Sequence, residues 1–271
     1  MYSFVNMDLK NKVVWITGAS SGIGEGLCYA FAKEGCKLVL SARRAEELLR
    51  VKQQTQLKDE DVLLLPIDLE KNSEALVWVQ KVIEKFGRID VLINNGGLSQ
   101  KGNAMDTTLE VERKIMEINY FGNVALTKAV IPIMKKQQAG NIVVTTSILG
   151  KFGLPFHSTY AASKHALYGF YDSLRMELKP HHIKVLLVAP GFIKTNASIN
   201  SLNADGSLSN ENSPAQINGM ETSVFARKLI SALKSNRTHI YIGKKELLAI
   251  PFKMLFPNFF YQLMIKLSKG K

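Results

Sequence analysis

The chain has 271 residues, of which 46% are hydrophobic and 21% are charged, and this composition excludes a chain that is disordered throughout. The formal net charge is +12, and the excess lies at the C-terminal end, where eight basic residues from Lys234 onward face one acidic residue, Glu246. No secretory apolar segment precedes the first predicted strand and no uncharged apolar run reaches about 18 residues, so we expect a cytoplasmic protein without a transmembrane span.

Short apolar and β-branched runs alternate along the chain with longer helical patterns. The near-continuous hydrophobicity of the strands is typical of a parallel sheet covered on both faces. Regular alternation with short loops predicts the α/β class: a Rossmann-type doubly wound parallel sheet, with helices on both faces in three layers, as a single domain over residues 1–271. The predicted strands cover residues 12–17, 37–41, 62–67, 90–94, 141–146 and 184–189, and the predicted helices cover 22–34, 45–56, 73–86, 109–138 and 158–179.

The turn between the first strand and the first helix carries glycines in the spacing G-x-x-x-G-x-G. Glycines let the backbone turn tightly and approach a pyrophosphate, and the N-terminus of the following helix offers free N–H groups. A purely structural glycine turn is the alternative, but the strand before, the helix after and five further strand–helix units favour a dinucleotide site. The expected contacts are Gly18, Ser20, Ser21, Gly22, Ile23 and Gly24.

Two arginines, Arg43 and Arg44, follow the second predicted strand, and no carboxylate stands there. A carboxylate at this position usually holds the adenosine ribose of NAD, whereas an arginine accommodates the 2′-phosphate of NADP. The alternative is that both side chains only flank a solvated helix start, where positive charge is unfavourable. The pattern therefore favours NADP(H) as the cofactor.

Further candidate cofactor residues follow the third and fourth predicted strands, at the edge where an adenosine would lie. Asp68 could accept a hydrogen bond from the adenine amino group, or it could serve only as a carboxylate at a helix start. Leu69, Asn94 and Gly96 are expected at the same edge.

The catalytic candidates are Asn119, Ser147, Tyr160 and Lys164. Tyr160 and Lys164 are four residues apart at the start of a predicted helix and so share one face. An ammonium near a phenol is expected to lower the pKa of the tyrosine, which makes Tyr160 usable as an acid near neutral pH. Ser147 follows the fifth strand at the same sheet edge, and Asn119 is a polar residue within the long predicted helix.

These motifs together resemble the short-chain dehydrogenase/reductase superfamily over roughly residues 10–195. The resemblance rests on TGASSGIG from Thr17, NNGG from Asn94, the four catalytic candidates with YAASK from Tyr160, and PGFIKT from Pro190. One departure is Gly96, where the superfamily usually has alanine. Shorter matches, LSARR and LFPNFFYQLM, look like the dehydrogenase/reductase member 7 branch, which is related to the 11β-hydroxysteroid dehydrogenases.

The resemblance implies an NADP-dependent interconversion of a carbonyl and an alcohol. By this resemblance Tyr160 gives or takes the substrate proton, Lys164 lowers its pKa and holds the nicotinamide ribose, Ser147 hydrogen-bonds the reacting oxygen, and Asn119 supports a proton relay through water. It also implies a homodimer or homotetramer. The residues expected to frame the nicotinamide are Asn94, Pro190, Gly191, Ile193 and Thr195.

Other readings of the sequence lead to different tests. A dinucleotide-sensing or scaffold protein on the same fold would not oxidise NADPH with any carbonyl. The charge of +12 suggests a nucleic-acid binder, but no nucleic-acid motif accompanies the basic residues. Cys28 and Cys36 are expected to be small buried hydrophobes rather than redox or metal ligands, and no metal site is predicted.

Two stretches depart from the strand–helix rhythm. Residues 196–219 are expected to form a loop over the ligand at the carboxyl edge, or a surface insertion without function. Apolar residues in 149–156 hint at a lipophilic substrate, although core packing explains them as well. Residues 246–271 combine apolar side chains with lysines, and Pro251 and Pro257 predict two short amphipathic pieces. These could cover the pocket, join subunits, contact a membrane surface or dock on their own core.

Overall fold

The structure is a computed structural model that describes residues 7–268. Its centre is a parallel sheet of seven strands in the order β3-β2-β1-β4-β5-β6-β7. The strands run parallel, and the sequential order of strands reverses at the pair β1 and β4, where Trp15 lies opposite Leu92. The strands are Val13–Thr17 (β1), Lys37–Ser41 (β2), Val62–Leu64 (β3), Val91–Asn94 (β4), Gly140–Thr145 (β5), Ile183–Pro190 (β6) and His239–Ile242 (β7).

Helices cover both faces of the sheet. The helices are Gly22–Lys33 (α1), Ala45–Thr55 (α2), Ala75–Phe86 (α3), Leu109–Met116 (α4), Gly122–Gln137 (α5), Ser158–Leu178 (α6), Pro214–Ile217 (α7), Thr222–Lys234 (α8), Ala249–Leu255 (α9) and Pro257–Ser268 (α10). Successive side chains of β1 enter opposite layers: Val14 and Ile16 pack with α1, α2 and α8, whereas Val13 and Trp15 pack with α3, α5 and α6. This two-sided burial explains why the strands read as continuous apolar runs. The predicted doubly wound, three-layer α/β architecture is therefore confirmed.

The seventh strand and α8 are absent from the predicted elements. β7 lies at the sheet edge and only Ile242 of its four residues is buried, so the sequence there lacks a continuous apolar run. The third strand is shorter than predicted and ends two residues before Pro66, which cannot donate a backbone hydrogen bond. The predicted helix over 109–138 is interrupted by a π-helical turn, Glu117–Phe121.

The C-terminal tail forms the two short helices that its prolines predict. Pro251 lies in the first turn of α9 and Pro257 is the first residue of α10, both positions that tolerate proline. Within residues 7–268, no helix combines the length and apolarity needed to cross a bilayer. The same part of the chain contains no cluster of His, Cys, Asp and Glu side chains arranged to hold a metal ion. Lys269 and Lys271 lie outside the described residues.

The two cysteines are buried and unpaired, and they lie on the α1 side of the sheet. The Cys36 thiol donates a hydrogen bond to the Leu9 carbonyl at 3.3 Å. Burial raises the pKa of Cys28 far above its usual value and raises that of Cys36 to about 12. Both therefore stay protonated and behave as small core residues, as predicted.

Candidate active site

A cleft of about 650 Å³ opens at the carboxyl edge of the sheet, where strand order reverses. This is the position at which doubly wound sheets bind ligands. Its walls contain most of the residues predicted from the sequence: Gly18, Ser20, Ser21, Gly22, Ile23, Arg43, Arg44, Asp68, Leu69, Gly96, Ser147, Tyr160, Lys164, Pro190, Gly191, Ile193 and Thr195. A larger depression, about 740 Å³, lies between α1 and α8 and holds none of these residues. We therefore take the cleft at the sheet edge as the candidate site.

The glycine-rich turn forms the floor of the cleft. Gly18 and Gly22 have positive φ angles of +66° and +58°, which side-chain-bearing residues rarely adopt. Gly24 lies outside the cleft wall, and a Cβ there would overlap the Gly18 carbonyl oxygen, so its role is to let α1 approach the turn. Ser21 precedes α1 without a side-chain cap, which leaves N–H groups of the first turn available to an anion.

The two arginines lie at the β2 end of the cleft. Both are exposed, and Arg44 makes only a long contact, 3.5 Å, from its guanidinium to the Ser20 hydroxyl. Within residues 7–268, Arg43 has no hydrogen-bond or salt-bridge partner, whereas the nearby Arg50 is engaged by Glu25 and Glu47. Asp68 borders the same end, and its carboxylate accepts the backbone N–H of Glu70 at 3.1 Å. This contact closes a turn in the loop before the short helical turn Asn72–Glu74, whose first residue is preceded by Lys71, so Asp68 does not cap a helix start.

The fourth strand delivers Asn95, not Asn94, to the cleft. The Asn94 side chain points to the opposite face, where its amide donates to Thr127 at 2.7 Å and to the Tyr171 hydroxyl at 3.1 Å. Asn95 lines the cleft and donates to the Thr17 carbonyl at 3.1 Å. Asn94 is therefore buried against α5 and α6 and does not line the cleft, whereas Asn95 follows β4 in a turn in which its N–H donates to the Ile93 carbonyl at 3.0 Å. Asn95, the next residue of the same motif, is a cleft residue that the sequence prediction did not include.

Gly96 fits a crowded position beside Asn95. Its N–H donates to the Thr17 hydroxyl at 2.9 Å, and an added Cβ would lie 2.7 Å from the end of the Leu69 side chain. Glycine in place of the superfamily's alanine thus matches the packing of Leu69 in this chain.

Ser147, Tyr160 and Lys164 meet at the β5 end of the cleft. Ser147 follows β5, and its hydroxyl is hydrogen-bonded to that of Tyr160. Lys164 is buried one turn further along α6, and its ammonium donates to the Thr145 carbonyl at 3.1 Å. The Lys164 ammonium lies 5.6 Å from the centre of the Tyr160 ring. A serine hydroxyl, a phenol and a cation thus converge on one end of the cleft.

The pKa of Tyr160 shifts in the opposite direction to the one expected from the sequence. Burial raises the pKa of Tyr160 above its usual value, and only the hydrogen bond from Ser147 opposes this. Burial also lowers the pKa of Lys164 to about 8. Desolvation thus outweighs the Lys164 ammonium, which is not in direct contact with the phenol oxygen, and the net shift of the Tyr160 pKa is upward.

Asn119 lies behind the cleft wall, in the π-helical turn between α4 and α5. Its side-chain oxygen accepts the Leu98 N–H at 2.7 Å, and its amide donates to the Leu98 carbonyl at 2.9 Å and to the Ser163 hydroxyl at 3.0 Å. The side chain is fully buried. Asn119 therefore fixes the segment after β4 against α6, and its side-chain oxygen lies beside Gly97 of the cleft wall.

The segment after β6 is held from behind by Glu246. The Glu246 carboxylate accepts N–H groups from Phe192 at 2.9 Å and from Lys244 at 3.0 Å, and a Cβ on Gly191 would overlap it. This acid joins the start of the tail to the cleft wall that contains Pro190 and Gly191. In the sequence Glu246 stands out only as the one acidic residue of a basic region, and its backbone partners are not predictable there.

The loop after β6 covers one side of the cleft and is not a detached insertion. Leu202 is buried with Val111 and Ile115, and its backbone pairs with the segment around Gln100. Asn196, Asn200 and Leu208 line the cleft. Leu202 and Leu208 thus give the cleft an apolar lining on the side of this loop. Phe156, which precedes α6, has a φ of +67°, a strained conformation for a bulky residue, and its side chain is exposed.

The residues present fit a dinucleotide. The glycine turn and the uncapped start of α1 suit a pyrophosphate, Arg43 is an unpaired cation at the adenosine end, and Lys164 lies at the opposite end. Thr145, beside Lys164, has a buried hydroxyl oxygen without a hydrogen-bond partner in the described residues. Polar groups left without partners along one cleft are a chemical match to an elongated polar ligand.

Comparison with known proteins agrees with this geometry. Residues 12–205 match the family model described as short chain dehydrogenase. The chain is 40% identical over 270 residues to human dehydrogenase/reductase SDR family member 7, covering 97% of this chain and 80% of the relative. It is 38% identical over 263 residues to a Drosophila melanogaster SDR family protein 7-like relative, covering 95% and 81%.

Solved structures share the fold. A short-chain dehydrogenase from Streptomyces avermitilis superposes with a TM-score of 0.81 at 26% identity, covering 96% of this chain and 99% of that one. A Burkholderia phymatum short-chain dehydrogenase/reductase in complex with NAD gives 0.84 at 22% identity, covering 93% and 96%. A Thermococcus sibiricus alcohol dehydrogenase complexed with 5-hydroxy-NADP gives 0.76 at 24% identity, covering 87% and 97%.

Proposed function

Because this chain belongs to the short-chain dehydrogenase/reductase superfamily, we propose that it is an NADP(H)-dependent oxidoreductase that interconverts a carbonyl and an alcohol with Tyr160 as the acid–base group. The observation that carries the proposal is the convergence of Ser147, Tyr160 and Lys164 at one end of a dinucleotide-sized cleft. A catalytically silent dinucleotide sensor is the alternative. It has no comparable support, because Ser147, Tyr160 and Lys164 are all residue types that the proposed reaction needs.

In the proposed reaction the nicotinamide, when bound, supplies the hydride. Ser147 donates a hydrogen bond to the substrate carbonyl oxygen and orients it toward Tyr160. Tyr160 gives its phenolic proton to that oxygen, so the product is an alcohol and the tyrosine is left as a phenolate. The buried Lys164 ammonium stabilises this phenolate by charge, since a nearby cation in a low-dielectric site favours the ionised form. In the oxidative direction Tyr160 takes the proton back.

The choice of NADP(H) rests on the charge at the adenosine end of the cleft. Arg43 and Arg44 flank the end of β2 and no carboxylate stands beside them, while Arg43 lacks any internal partner among residues 7–268. A guanidinium can donate two parallel hydrogen bonds to a 2′-phosphate. The apolar residues Leu202 and Leu208 in the cleft lining favour a lipophilic substrate.

The reaction is tested with Tyr160→Phe. We expect turnover to fall by ~10²–10⁴-fold or more, because only the hydroxyl that transfers the proton is removed. NADPH binding, measured by fluorescence titration, should stay close to that of the wild type. The substrate panel would contain ketones, aldehydes, steroids and retinoids. A wild-type-like kcat in Tyr160→Phe would contradict the assignment, and absence of NADPH oxidation with the whole panel would favour the silent sensor.

Cofactor preference is tested with Arg43→Ala. Charge-assisted bonds to phosphate are each worth about 1.5–3 kcal/mol, so NADPH affinity should fall by ~10–150-fold and NADH affinity much less. Arg237→Ala, an exposed arginine beside β7, is the matched control and should change neither. Equal losses for NADPH and NADH would mean that Arg43 has a structural role only.

A further inference from the structure

The tail helices α9 and α10 expose an unusual amount of apolar surface. Eight of the twenty large hydrophobic side chains that are exposed in residues 7–268 lie between positions 248 and 267. Soluble domains rarely present apolar side chains at such density without a partner. We call this surface the tail face; it consists of Leu248, Met254, Leu255, Phe256, Phe259, Tyr261, Ile265 and Leu267.

The opposite side of the same helices is docked on the domain. Phe260 is fully buried and packs edge-on against Phe152 at 5.1 Å between ring centres, and Ile250 joins the same cluster. The Lys253 ammonium donates a hydrogen bond to the Lys151 carbonyl at 3.1 Å. Docking of the tail on its own core, one of the four alternatives left open by the sequence, therefore describes this inner side. It leaves the tail face as a fixed outer surface rather than part of a loose segment.

Positive charge borders the tail face without matching acids from the tail. Lys245 and Lys266 are exposed, and Glu246 is the last acidic residue of the chain. The Glu246 carboxylate is already engaged by two backbone N–H groups. An apolar surface with a cationic rim is the arrangement by which helices lie in the interface of an anionic membrane.

We propose that the tail face docks on anionic membrane surfaces, with its Phe, Leu and Met side chains at the headgroup boundary and Lys245 and Lys266 on the lipid headgroups. A second copy of the chain is a poorer occupant. A two-fold contact would bring each tail face against itself, and the lysines of both copies would meet without tail carboxylates to compensate them. Lipid phosphates and carboxylates supply the missing negative charge.

The docked surface lies next to the candidate active site. The inner side of the tail packs on Ile148, Leu149 and Phe152, which follow Ser147, and on Ala161, which follows Tyr160. Docking would thus place the catalytic end of the cleft close to the bilayer, where a lipophilic carbonyl substrate concentrates. This last consequence rests on the proposed function, whereas the docking itself does not.

The proposal is tested by co-sedimentation of the full chain with phosphatidylcholine vesicles with and without phosphatidylserine. We expect binding to the phosphatidylserine vesicles at low ionic strength and its loss at high salt. Met254→Ser combined with Leu255→Ser should weaken binding by ~10-fold or more, because two exposed apolar side chains are removed. The matched control is Leu76→Ser with Val77→Ser, an adjacent exposed apolar pair on α3, which should bind like the wild type.

A double variant that reverses two lysine charges tests the electrostatic part of the proposal. Lys245→Glu with Lys266→Glu should weaken vesicle binding roughly 10-fold, and Lys81→Glu with Lys136→Glu, on exposed helix faces elsewhere, should not. Absence of binding at low salt, or equal binding of tail and control variants, would overturn the proposal. So would tail variants that change only the molecular mass in solution, because the tail face would then join two copies. Vesicle binding that persists without NADPH turnover would contradict the proposed function and leave the docking standing.

Discussion

Lys164 carries a positive charge into the interior of the domain. The side chain is 5% exposed, and no carboxylate lies within salt-bridge distance of it among the described residues. One hydrogen bond, to the Thr145 carbonyl, partly offsets the loss of water, and burial lowers the pKa of Lys164 to about 8. A buried cation held in this way destabilises the fold that holds it.

We therefore expect Lys164→Met to raise the free energy of unfolding at pH 7 by about 2 kcal/mol while removing turnover. Below pH 8 the lysine is charged in both states and its desolvation cost is fully present. Between about pH 8 and pH 10.5 the unfolded chain binds a proton that the folded chain does not, so wild-type stability rises with pH. Urea unfolding at pH 7 and near pH 10 should show the difference between variant and wild type shrinking.

The exposed Lys128 of α5 offers a control for this measurement. Lys128→Met should leave the free energy of unfolding within about 0.5 kcal/mol of the wild type at both pH values. A stability gain of Lys164→Met that is the same at pH 7 and pH 10 would show that the effect comes from packing of the methionine and not from the buried charge.

At the scale of a single element, α10 has two adjacent phenylalanines in opposite environments. Phe260 is fully buried between Phe152 and Phe252, whereas Phe259 is 62% exposed. We expect Phe260→Ala to weaken docking of the tail by about 3–5 kcal/mol, which corresponds to ~10²-fold or faster amide exchange in α10. Phe259→Ala should change that exchange by about 2-fold at most. Hydrogen-exchange mass spectrometry measures both, and similar effects would contradict the docked arrangement.

The π-helical turn is a second element whose local geometry determines where a side chain lies. A continuous α-helix over 109–138 would place Asn119 at a different angle around the helix axis, because a π turn holds more residues than an α-helical turn. With the turn, Asn119 reaches both backbone groups of Leu98 and the Ser163 hydroxyl. Two segments that border the cleft are thereby fixed to one side chain.

At the scale of the whole molecule, the sheet divides the core into two layers and leaves the cleft at its carboxyl edge. Solved structures with identities of only 22–26% share the fold, because apolar strands and covering helices can be built from many sequences. The excess positive charge is partly used internally: Lys234 pairs with Glu34, and Lys244 donates to the carbonyls of Asn218 and Gly219. Assembly into a homodimer or homotetramer stays a prediction.

The sequence by itself determined the α/β class, the approximate positions of the first six strands along the chain and most of the residues at the cleft. These follow from local signals: apolar runs, glycine spacing and polar residues at strand ends. The carboxyl ends of parallel strands must meet at one edge, so Ser147, Tyr160 and the glycine turn had to lie together. The break between α9 and α10 was likewise set locally, by Pro257.

Only the tertiary structure decided which side chains face the cleft and what charge they carry. Asn94 and Asn95 are adjacent in sequence, but Asn94 ends β4 with its side chain buried, and the turn that follows places Asn95 at the cleft. The raised pKa of Tyr160 depends on burial by segments distant in sequence. β7 and the role of Glu246 were also hidden, because an edge strand lacks a continuous apolar run and a carboxylate's partners are set by packing. Orientation, desolvation and long-range contact are properties of the folded chain, and no local pattern encodes them.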